Sequence, residues 1–337
     1  MKLKRYLGNP ILEPRGDDWE SVATFNCAAI YKDGKIHVLY RAVGDYVHYA
    51  SRLGHAIFDE ELRLLERFDE PCFGPHLKLW EMSIEDPRLT EIEGELYMTY
   101  VVTPTPSPPS AVRRRLGIPK PQTAAPRTAL ARVREFQSFE RLGIITPYDA
   151  DERDVVLFPE KIGGRYAAIH RPSNWIGSGY PVERPSIWFA FLDGLPGRRC
   201  PECIEGMYDH KVIMEPEQPW EGKKIGAGPP PIKTDAGWLL IYHGVDPDHV
   251  YRAGAALLDL EEPWKVIART TEPILEPEEE YEREGDVPNV VFPEGAVVVV
   301  VGDELLVFYG AADKVCCAAS VRLDELIGHL LSGKGGG

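Results

Sequence analysis

The chain has 337 residues and is 44% hydrophobic, which is enough apolar material for a large buried core. Its 38 Lys and Arg residues face 53 Asp and Glu residues, and the net charge of −15 argues against a nucleic acid or an anionic membrane as partner. No segment approaches the roughly 20 apolar residues that cross a bilayer. The basic N-terminus is not followed by the apolar core of a signal peptide, so we expect a cytoplasmic protein.

A short apolar run that ends in Tyr or His follows a glycine-containing turn five times along the chain. The copies span residues 33–42, 93–100, 163–171, 236–244 and 302–310. With Tyr40, Tyr100, His170, His243 and Tyr309 as markers, the spacings are 60, 70, 73 and 66 residues. One strong strand in each long repeat predicts an all-β fold, a five-bladed β-propeller.

Three segments outside the repeats complete the predicted domain. Residues 103–126 contain seven prolines and the run Arg113 to Arg115, so we expect an extended loop that acts as a surface loop, a lid or an arm to a neighbouring subunit. Residues 323–331 form the best helix candidate, and 332–337 form a flexible tail. The segment 9–14 resembles 272–277, which favours one closed catalytic domain over residues 1–330.

The six cysteines do not form a metal-binding pattern. Cys200 and Cys203 make a single C-x-x-C pair, whereas a structural zinc site needs a second pair at similar spacing. Cys316 and Cys317 are adjacent, and adjacent residues of a strand point to opposite faces. We therefore expect reduced thiols and no metal.

Charged side chains recur near the ends of the marker strands. Arg41, Arg171 and His243 lie at or just past a marker, Asp86 and Lys224 precede one, and Asp313 follows the last. A propeller brings these positions to one central pocket. Several cations with a few carboxylates suit a ligand that combines a sugar with an anion, because Arg holds phosphate in a bidentate fork and Lys acts as a point charge.

Six sequence motifs in the same order resemble glycoside hydrolase family 130, which comprises inverting β-mannoside phosphorylases and some β-mannosidases on a five-bladed propeller. The resemblance extends from about residue 9 to about residue 323. The motifs lie at residues 85–88, 157–161, 170–172, 224–232, 242–245 and 309–313.

The resemblance implies a role for each candidate residue. Asp86 resembles the catalytic acid, which is thought to deliver its proton to the glycosidic oxygen through the 3-hydroxyl of the mannose. The remaining roles are mannose binding by Asn26, Arg41 and Asp313, and phosphate binding by Arg171, Lys224, His243 and Arg153. Cys27 departs from the small polar residue expected beside Asn26. The resemblance implies no cofactor, with inorganic phosphate as co-substrate.

One clear acid beside a cluster of cations favours phosphorolysis, because a phosphate nucleophile needs no base carboxylate. We predict that a β-1,4-linked mannoside and phosphate give α-mannose 1-phosphate and a shortened acceptor. The linkage rests on the general look of residues 224–232, and β-1,2 remains open, as does the acceptor sugar. We also expect a homo-oligomer.

Three other functions remain open. A β-mannosidase on the same scaffold would need a base, for which Glu160, Glu205 and Asp286 are candidates. A hydrolase like those of families 43 or 32 would need three separated acids. A non-catalytic propeller would bind glycans on exposed aromatics, and the candidates are Trp19, Trp80, Trp175 and Trp188.

Overall fold

A computed structural model of the chain describes residues 1–119, 124–195, 206–299 and 303–333. Its strands form five antiparallel sheets. Blade one contains β2 (Ala23–Lys32), β3 (Lys35–Val43), β4 (Ser51–Phe58) and β5 (Leu64–Arg67). Blade two contains β6 (Ser83–Ile92), β7 (Glu95–Thr103), β8 (Arg127–Glu135) and β9 (Ser138–Ile144). Blade three contains β10 (Val156–Leu157), β11 (Tyr166–His170), β12 (Ile187–Leu192) and β13 (Met207–Met214).

The last two sheets complete the ring. Blade four contains β14 (Lys224–Ala227), β15 (Ile232–Thr234), β16 (Gly237–Val245), β17 (Tyr251–Leu258) and β18 (Val266–Arg269). Blade five contains β19 (Val291–Val299), β20 (Glu304–Ala311), β21 (Val315–Arg322) and, as its outer strand, the N-terminal β1 (Lys4–Arg5). Lys4 pairs with Ser320 and Arg5 with Ala319, so the first residues of the chain complete the last blade. The predicted five-bladed propeller is confirmed.

The turns that open the repeats have the geometry that their residues favour. Asp33 and Gly34 have φ angles of 52° and 74°, and Glu93 and Gly94 have φ angles of 53° and 79°. A two-residue hairpin with positive φ at both positions matches the right-handed twist of the flanking strands, and glycine adopts it without a Cβ penalty. The turn residues therefore set the register of the first hairpin in blades one and two.

Within the described residues, three α-helices lie outside the sheets: α1 (Ser110–Leu116), α2 (Glu280–Arg283) and α3 (Leu323–Ser332). The predicted C-terminal helix is confirmed, and it includes Ser332, which we had assigned to the tail. Residues 334–337 of that tail lie outside the described part of the chain. No helix within the described ranges is long and apolar enough to cross a membrane.

The expectation that residues 103–126 lack regular structure is wrong for their middle part, which forms α1. Ser110 to Leu116 contains strong helix formers between two breakers, because prolines precede it and Gly117, in the left-handed conformation, ends it. Val112 is buried, and the Arg115 guanidinium lies 5.6 Å from the ring centroid of Tyr46. The helix therefore contacts the loop between β3 and β4 of blade one. Residues 120–123 lie outside the described residues.

A buried three-residue cluster recurs in four blades, and we call it the carboxylate clamp. A glutamate from the segment before the inner strand accepts a hydrogen bond from a tyrosine hydroxyl of the second strand. An arginine from the outermost strand forms an ion pair with the same carboxylate. The clamps are Glu20, Tyr40 and Arg67; Glu81, Tyr100 and Arg141; Glu221, Tyr242 and Arg269; and Glu282, Tyr309 and Arg5.

The clamp explains the repeated Tyr of the sequence pattern and corrects one marker. Tyr242 donates to Glu221 at 2.7 Å and occupies the marker position of blade four, so the assignment of His243 as marker is wrong by one residue. Successive side chains of a strand point to opposite faces, so His243 faces away from the clamp. Burial raises the pKa of Tyr242 far above its ordinary value, which keeps the hydroxyl protonated as a donor.

We predict that Arg269→Ala destabilises the fold strongly, because it leaves the fully buried Glu221 carboxylate without its countercharge. Loss of one partner of a buried pair costs about 3–5 kcal/mol. The matched control is Arg63→Ala, whose ion pairs with Asp59 and Glu61 are exposed and contribute little to stability. Urea unfolding of both variants checks this, and equal losses would contradict the role of the clamp.

Candidate active site

A cavity of about 260 Å³ lies where the inner strands of the blades converge. Of the eight site residues predicted from the sequence, seven line this cavity. They are Asn26, Arg41, Asp86, Arg153, Arg171, Lys224 and Asp313. They come from β2, β3, β6, the chain before β10, the chain after β11, β14 and the turn after β20. The propeller therefore brings together residues from all five blades, as expected.

The side chains of Asn26 and Asp86 reach the cavity because each lies in a β-bulge of an inner strand. The pairing register shifts between Phe25 and Cys27 and again between Glu85 and Arg88. The φ angles at Asn26 and Asp86 are 49° and 52°. Asn and Asp tolerate this left-handed conformation better than other residues with a side chain. The local backbone thus favours these two residue types at the two positions.

Asp86 accepts side-chain hydrogen bonds at one of its two carboxylate oxygens. Asn26 Nδ2 donates to Asp86 Oδ1 at 2.9 Å, and Arg41 Nη1 donates to the same oxygen at 3.1 Å. A Cβ at Gly310 would lie 2.1 Å from Asn26 Oδ1, so a glycine is required there to leave room for the amide. Arg41 also forms an ion pair with Glu85 at 3.1 Å, which fixes the guanidinium between two carboxylates.

Asp313 adds a second carboxyl to this part of the cavity, and its environment disfavours the charged form. Burial raises the pKa of Asp313 to about 7; the charge of Arg41 opposes the rise, and the carboxylate of Asp86 adds to it. Its φ angle is 50°, again the left-handed region. Asn26, Arg41, Asp86 and Asp313 together form a cluster of donors and carboxyls that suits the hydroxyls of a sugar.

Three cations occupy the part of the cavity formed by blades three and four. Arg171 Nε donates to Asp154 Oδ2 at 2.8 Å, and Arg153 Nη1 lies 3.4 Å from Glu85 Oε2. The Lys224 ammonium lies 5.1 Å from the ring centroid of Tyr251 and makes no ion pair with a carboxylate of the described residues. This arrangement leaves positive charge available for an anion.

His243 does not line the cavity. It is fully buried, with Nε2 3.6 Å from Asp154 Oδ2 and its ring 4.6 Å from Phe292, measured between centroids. Burial lowers the pKa of His243 to about 3, so the ring is neutral at neutral pH. Direct contact between His243 and a ligand in the cavity is therefore not shown by this structure, and its phosphate-binding role stays a prediction.

Asp154 and Arg88 were not predicted as site residues from the sequence, although the structure places them between the acid and the cations. Arg88 Nη1 donates to the backbone oxygen of Asp86 at 3.0 Å, and Nη2 donates to Asp154 Oδ1 at 3.3 Å. Burial opposes ionisation of Asp154, but the charges of Arg171 and Arg88 contribute to holding its pKa well below the ordinary value. A Cβ at Gly226 would lie 2.3 Å from Asp154 Oδ2, so this glycine makes room for the carboxylate.

Glu294 is a second residue that the sequence reasoning missed. It lies at the register shift between Pro293 and Gly295, the position in blade five that matches Asn26 in blade one. The side chain is fully buried, and neither oxygen has a hydrogen-bond partner among the described residues, although Oε1 lies 3.2 Å from Arg88 Nη2. Burial raises the pKa of Glu294 well above its ordinary value. Alignment of the bulged positions would have identified it.

The residues proposed for the other functions are differently placed. Glu160 is exposed and paired with Lys233, and Asp286 is buried and accepts hydrogen bonds from Tyr46 and Tyr49. Glu205 lies outside the described residues, as do Cys200 and Cys203. Of the four tryptophans considered as sugar platforms, Trp80 is 77% exposed, and the other three are buried.

Comparison with known proteins gives one consistent result. A family model of glycoside hydrolase family 130, described as beta-1,4-mannooligosaccharide phosphorylase, matches residues 3–331. The 1,2-beta-oligomannan phosphorylase of Thermoanaerobacter sp. (strain X514) is 39% identical over 97% of this chain and 99% of its own length. The beta-1,2-mannobiose phosphorylase of the same strain is 38% identical over 96% and 99%. The solved structure of the Listeria innocua beta-1,2-mannobiose phosphorylase with beta-1,2-mannobiose has a TM-score of 0.76 at 26% identity, covering 98% of this chain and 99% of that one.

We predict that Glu294→Gln stabilises the protein increasingly as pH rises. Because the folded-state pKa of Glu294 lies above 4.5, the folded chain keeps a proton that the unfolded chain releases, so stability falls with rising pH above that value. The neutral amide removes this loss. We expect no gain in Tm at pH 4 and a gain of about 2 °C at pH 8, which corresponds to roughly 1 kcal/mol. The control Glu61→Gln changes an exposed carboxylate, and an identical pH dependence of both variants would contradict the assignment.

Proposed function

Because the chain belongs to glycoside hydrolase family 130 and is an enzyme of its glycoside phosphorylase class, we propose that it catalyses the inverting phosphorolysis of β-linked mannosides. The substrates are a manno-oligosaccharide or mannosyl disaccharide and inorganic phosphate. The products are α-mannose 1-phosphate and an acceptor shortened by one mannose. The observation that carries this proposal is the cluster of Arg153, Arg171 and Lys224 in the same cavity as Asp86.

In the proposed reaction, Asp86 supplies the proton. Among the described residues it accepts side-chain hydrogen bonds only at Oδ1, from Asn26 and Arg41, which leaves Oδ2 to carry the proton. Transfer through the 3-hydroxyl of the mannose delivers this proton to the glycosidic oxygen as its bond to the anomeric carbon breaks. Asn26, Arg41 and Asp313 hold the mannose ring in this proposal, because their polar groups surround the same acid.

Phosphate supplies the nucleophile. An oxygen of the anion bonds to the anomeric carbon from the face opposite the leaving oxygen, which converts the β-linkage into an α-phosphate. Arg171 is pre-oriented for this role because Asp154 fixes its guanidinium. Lys224 contributes a positive charge that forms no ion pair with a carboxylate of the described ranges. Guanidinium groups and ammonium groups are the usual protein ligands of phosphate.

The lining of the cavity supports phosphorolysis over hydrolysis. Inverting hydrolysis needs a free carboxylate that activates water on the face opposite the acid. Besides Asp86, the carboxylates of the lining are Asp154 and Asp313. Asp154 is engaged by Arg171 and Arg88, and Asp313 belongs to the group around the acid. Neither is available as a base against the opposite face.

For the linkage, we propose β-1,2 in place of the β-1,4 bond that the sequence predicts. Two relatives that align over nearly the whole chain, at 39% and 38% identity, are named for β-1,2-linked substrates. The β-1,4 linkage stays the second candidate, because the matching family model is described as a beta-1,4-mannooligosaccharide phosphorylase.

Product analysis tests the proposed function. The purified protein is incubated with β-1,2-mannobiose or β-1,4-mannobiose, each with and without inorganic phosphate. We expect mannose 1-phosphate only when phosphate is present, and faster consumption of the β-1,2 disaccharide. Free mannose formed equally in both buffers would overturn phosphorolysis, and turnover of the β-1,4 disaccharide alone would overturn the linkage.

We predict that Asp86→Asn lowers kcat/KM for phosphorolysis about 10²- to 10⁴-fold, because general acid catalysis contributes that much and an amide is far too weak an acid to protonate the leaving oxygen. Glu160→Gln is the matched control, since this exposed carboxylate lies outside the cavity and should leave activity unchanged. Equal activity of Asp86→Asn and the wild type would rule out Asp86 as the acid.

A further inference from the structure

Blade three replaces the carboxylate clamp with a different set of residues. Glu152 is fully buried, and its Oε1 lies 2.5 Å from His170 Nδ1. His170 Nε2 in turn lies 3.1 Å from His210 Nδ1 on the outer strand β13. Thus His170 takes the place of the clamp tyrosine, and His210 takes the place of the clamp arginine. No Arg or Lys of the described residues forms an ion pair with Glu152.

The charge balance of this cluster depends on His170. A fully buried carboxylate needs a countercharge, and in the other four blades a permanently charged arginine supplies it. Burial, and then the charge of His170, lowers the pKa of His210 to about 4, so His210 is neutral at neutral pH. In the described part of the chain, His170 is the basic side chain that contacts the Glu152 carboxylate, with Nδ1 toward Glu152 and Nε2 toward His210.

The cluster is connected to the cations of the active site. Glu152 Oε2 accepts a hydrogen bond from the backbone N–H of Arg171 at 3.2 Å. Arg171 follows His170 in the chain, just as Arg41 follows the clamp residue Tyr40 in blade one. The clamp in blade one and the cluster that replaces it in blade three each fix one residue on the buried face of the strand. The next residue therefore faces the cavity.

We propose that Glu152, His170 and His210 are positioning residues that hold Arg171 for phosphate. This inference rests on the proposed function. His170 fixes the Glu152 carboxylate through Oε1, and Glu152 Oε2 in turn holds the backbone N–H of Arg171. Loss of the His170 contact frees this carboxylate, so Arg171 is less well oriented and phosphate affinity falls.

The test is calorimetric titration of inorganic phosphate into the wild type and three variants at one pH. His170→Gln removes the ring that contacts Glu152 and His210 at the same time. We expect its phosphate Kd to be about tenfold above that of the wild type, a difference of one decade in affinity.

The second variant, His170→Tyr with His210→Arg, transfers the clamp of the other blades into blade three. We expect it to bind phosphate like the wild type, because the grafted tyrosine and arginine hold Glu152 as the clamps of the other blades hold their glutamates. Arg5→Ala disturbs the equivalent clamp in blade five, where the marker is followed by Gly310, and should lower Tm without changing phosphate Kd.

Equal phosphate Kd values for His170→Gln and the wild type would overturn the positioning role. If His170→Gln does not fold, the graft decides the question, because a folded graft that binds phosphate about tenfold more weakly than the wild type would also overturn it. Turnover is measured separately: phosphate binding without mannose 1-phosphate formation would contradict the proposed function and leave the binding result valid.

Discussion

The ring of blades depends on a carboxylate that is buried within each blade and that, in four of the five blades, is compensated by an arginine from the outermost strand. A buried charge without a partner is unstable, so in these blades the segment that carries the glutamate, the strand that carries the tyrosine and the outer strand with the arginine must assemble together. In blade five the arginine is Arg5, from the N-terminal strand, and the glutamate is Glu282. The same ion pair therefore joins the two ends of the chain and closes the ring.

The clamp also places the active site. The residue that follows the clamp tyrosine or histidine points to the opposite face of its strand, and in blades one and three that residue is an arginine of the cavity, Arg41 or Arg171. The bulges of the inner strands complete the arrangement, because they direct Asn26 and Asp86 inward. Structural and functional residues thus alternate along the same strands.

Within an acidic protein, the cavity keeps two kinds of polar group in different blades, because Arg41 is paired with Glu85 and Asp86, and Asp154 is paired with Arg171 and Arg88. The carboxyls and the amide that surround Asp86 come from blades one, two and five, whereas Arg153, Arg171 and Lys224 come from blades three and four. Arg88 and Asp154 connect the two groups through buried hydrogen bonds. A neutral sugar and an anion can therefore bind side by side without competing for the same partners.

The sequence was sufficient for the propeller because each repeat contains a turn with a strong strand. It was also sufficient for four of the lining residues, because motifs contain them: Asp86, Arg171, Lys224 and Asp313. It was insufficient where a residue acts through an irregularity or through a distant partner. Glu294 lies in a β-bulge that no local sequence pattern predicts. The role of Asp154 depends on its hydrogen bonds with Arg171 and Arg88, which are distant in sequence. The sequence analysis took His243 as the marker of blade four, one residue after the correct position. Tyr242 is recognised as the marker only by its hydrogen bond to Glu221. The helix α1 was missed because the surrounding prolines outweighed a short run of good helix formers.

The central claim is that the cations of blades three and four hold phosphate beside Asp86. A crystal structure of the protein with inorganic phosphate and the acceptor tests it most directly. The account predicts phosphate oxygens within about 2.7–3.2 Å of the side-chain nitrogens of Arg153, Arg171 and Lys224. Phosphate bound instead among Asn26, Arg41 and Asp313, or a cavity without phosphate at concentrations that support turnover, would contradict it.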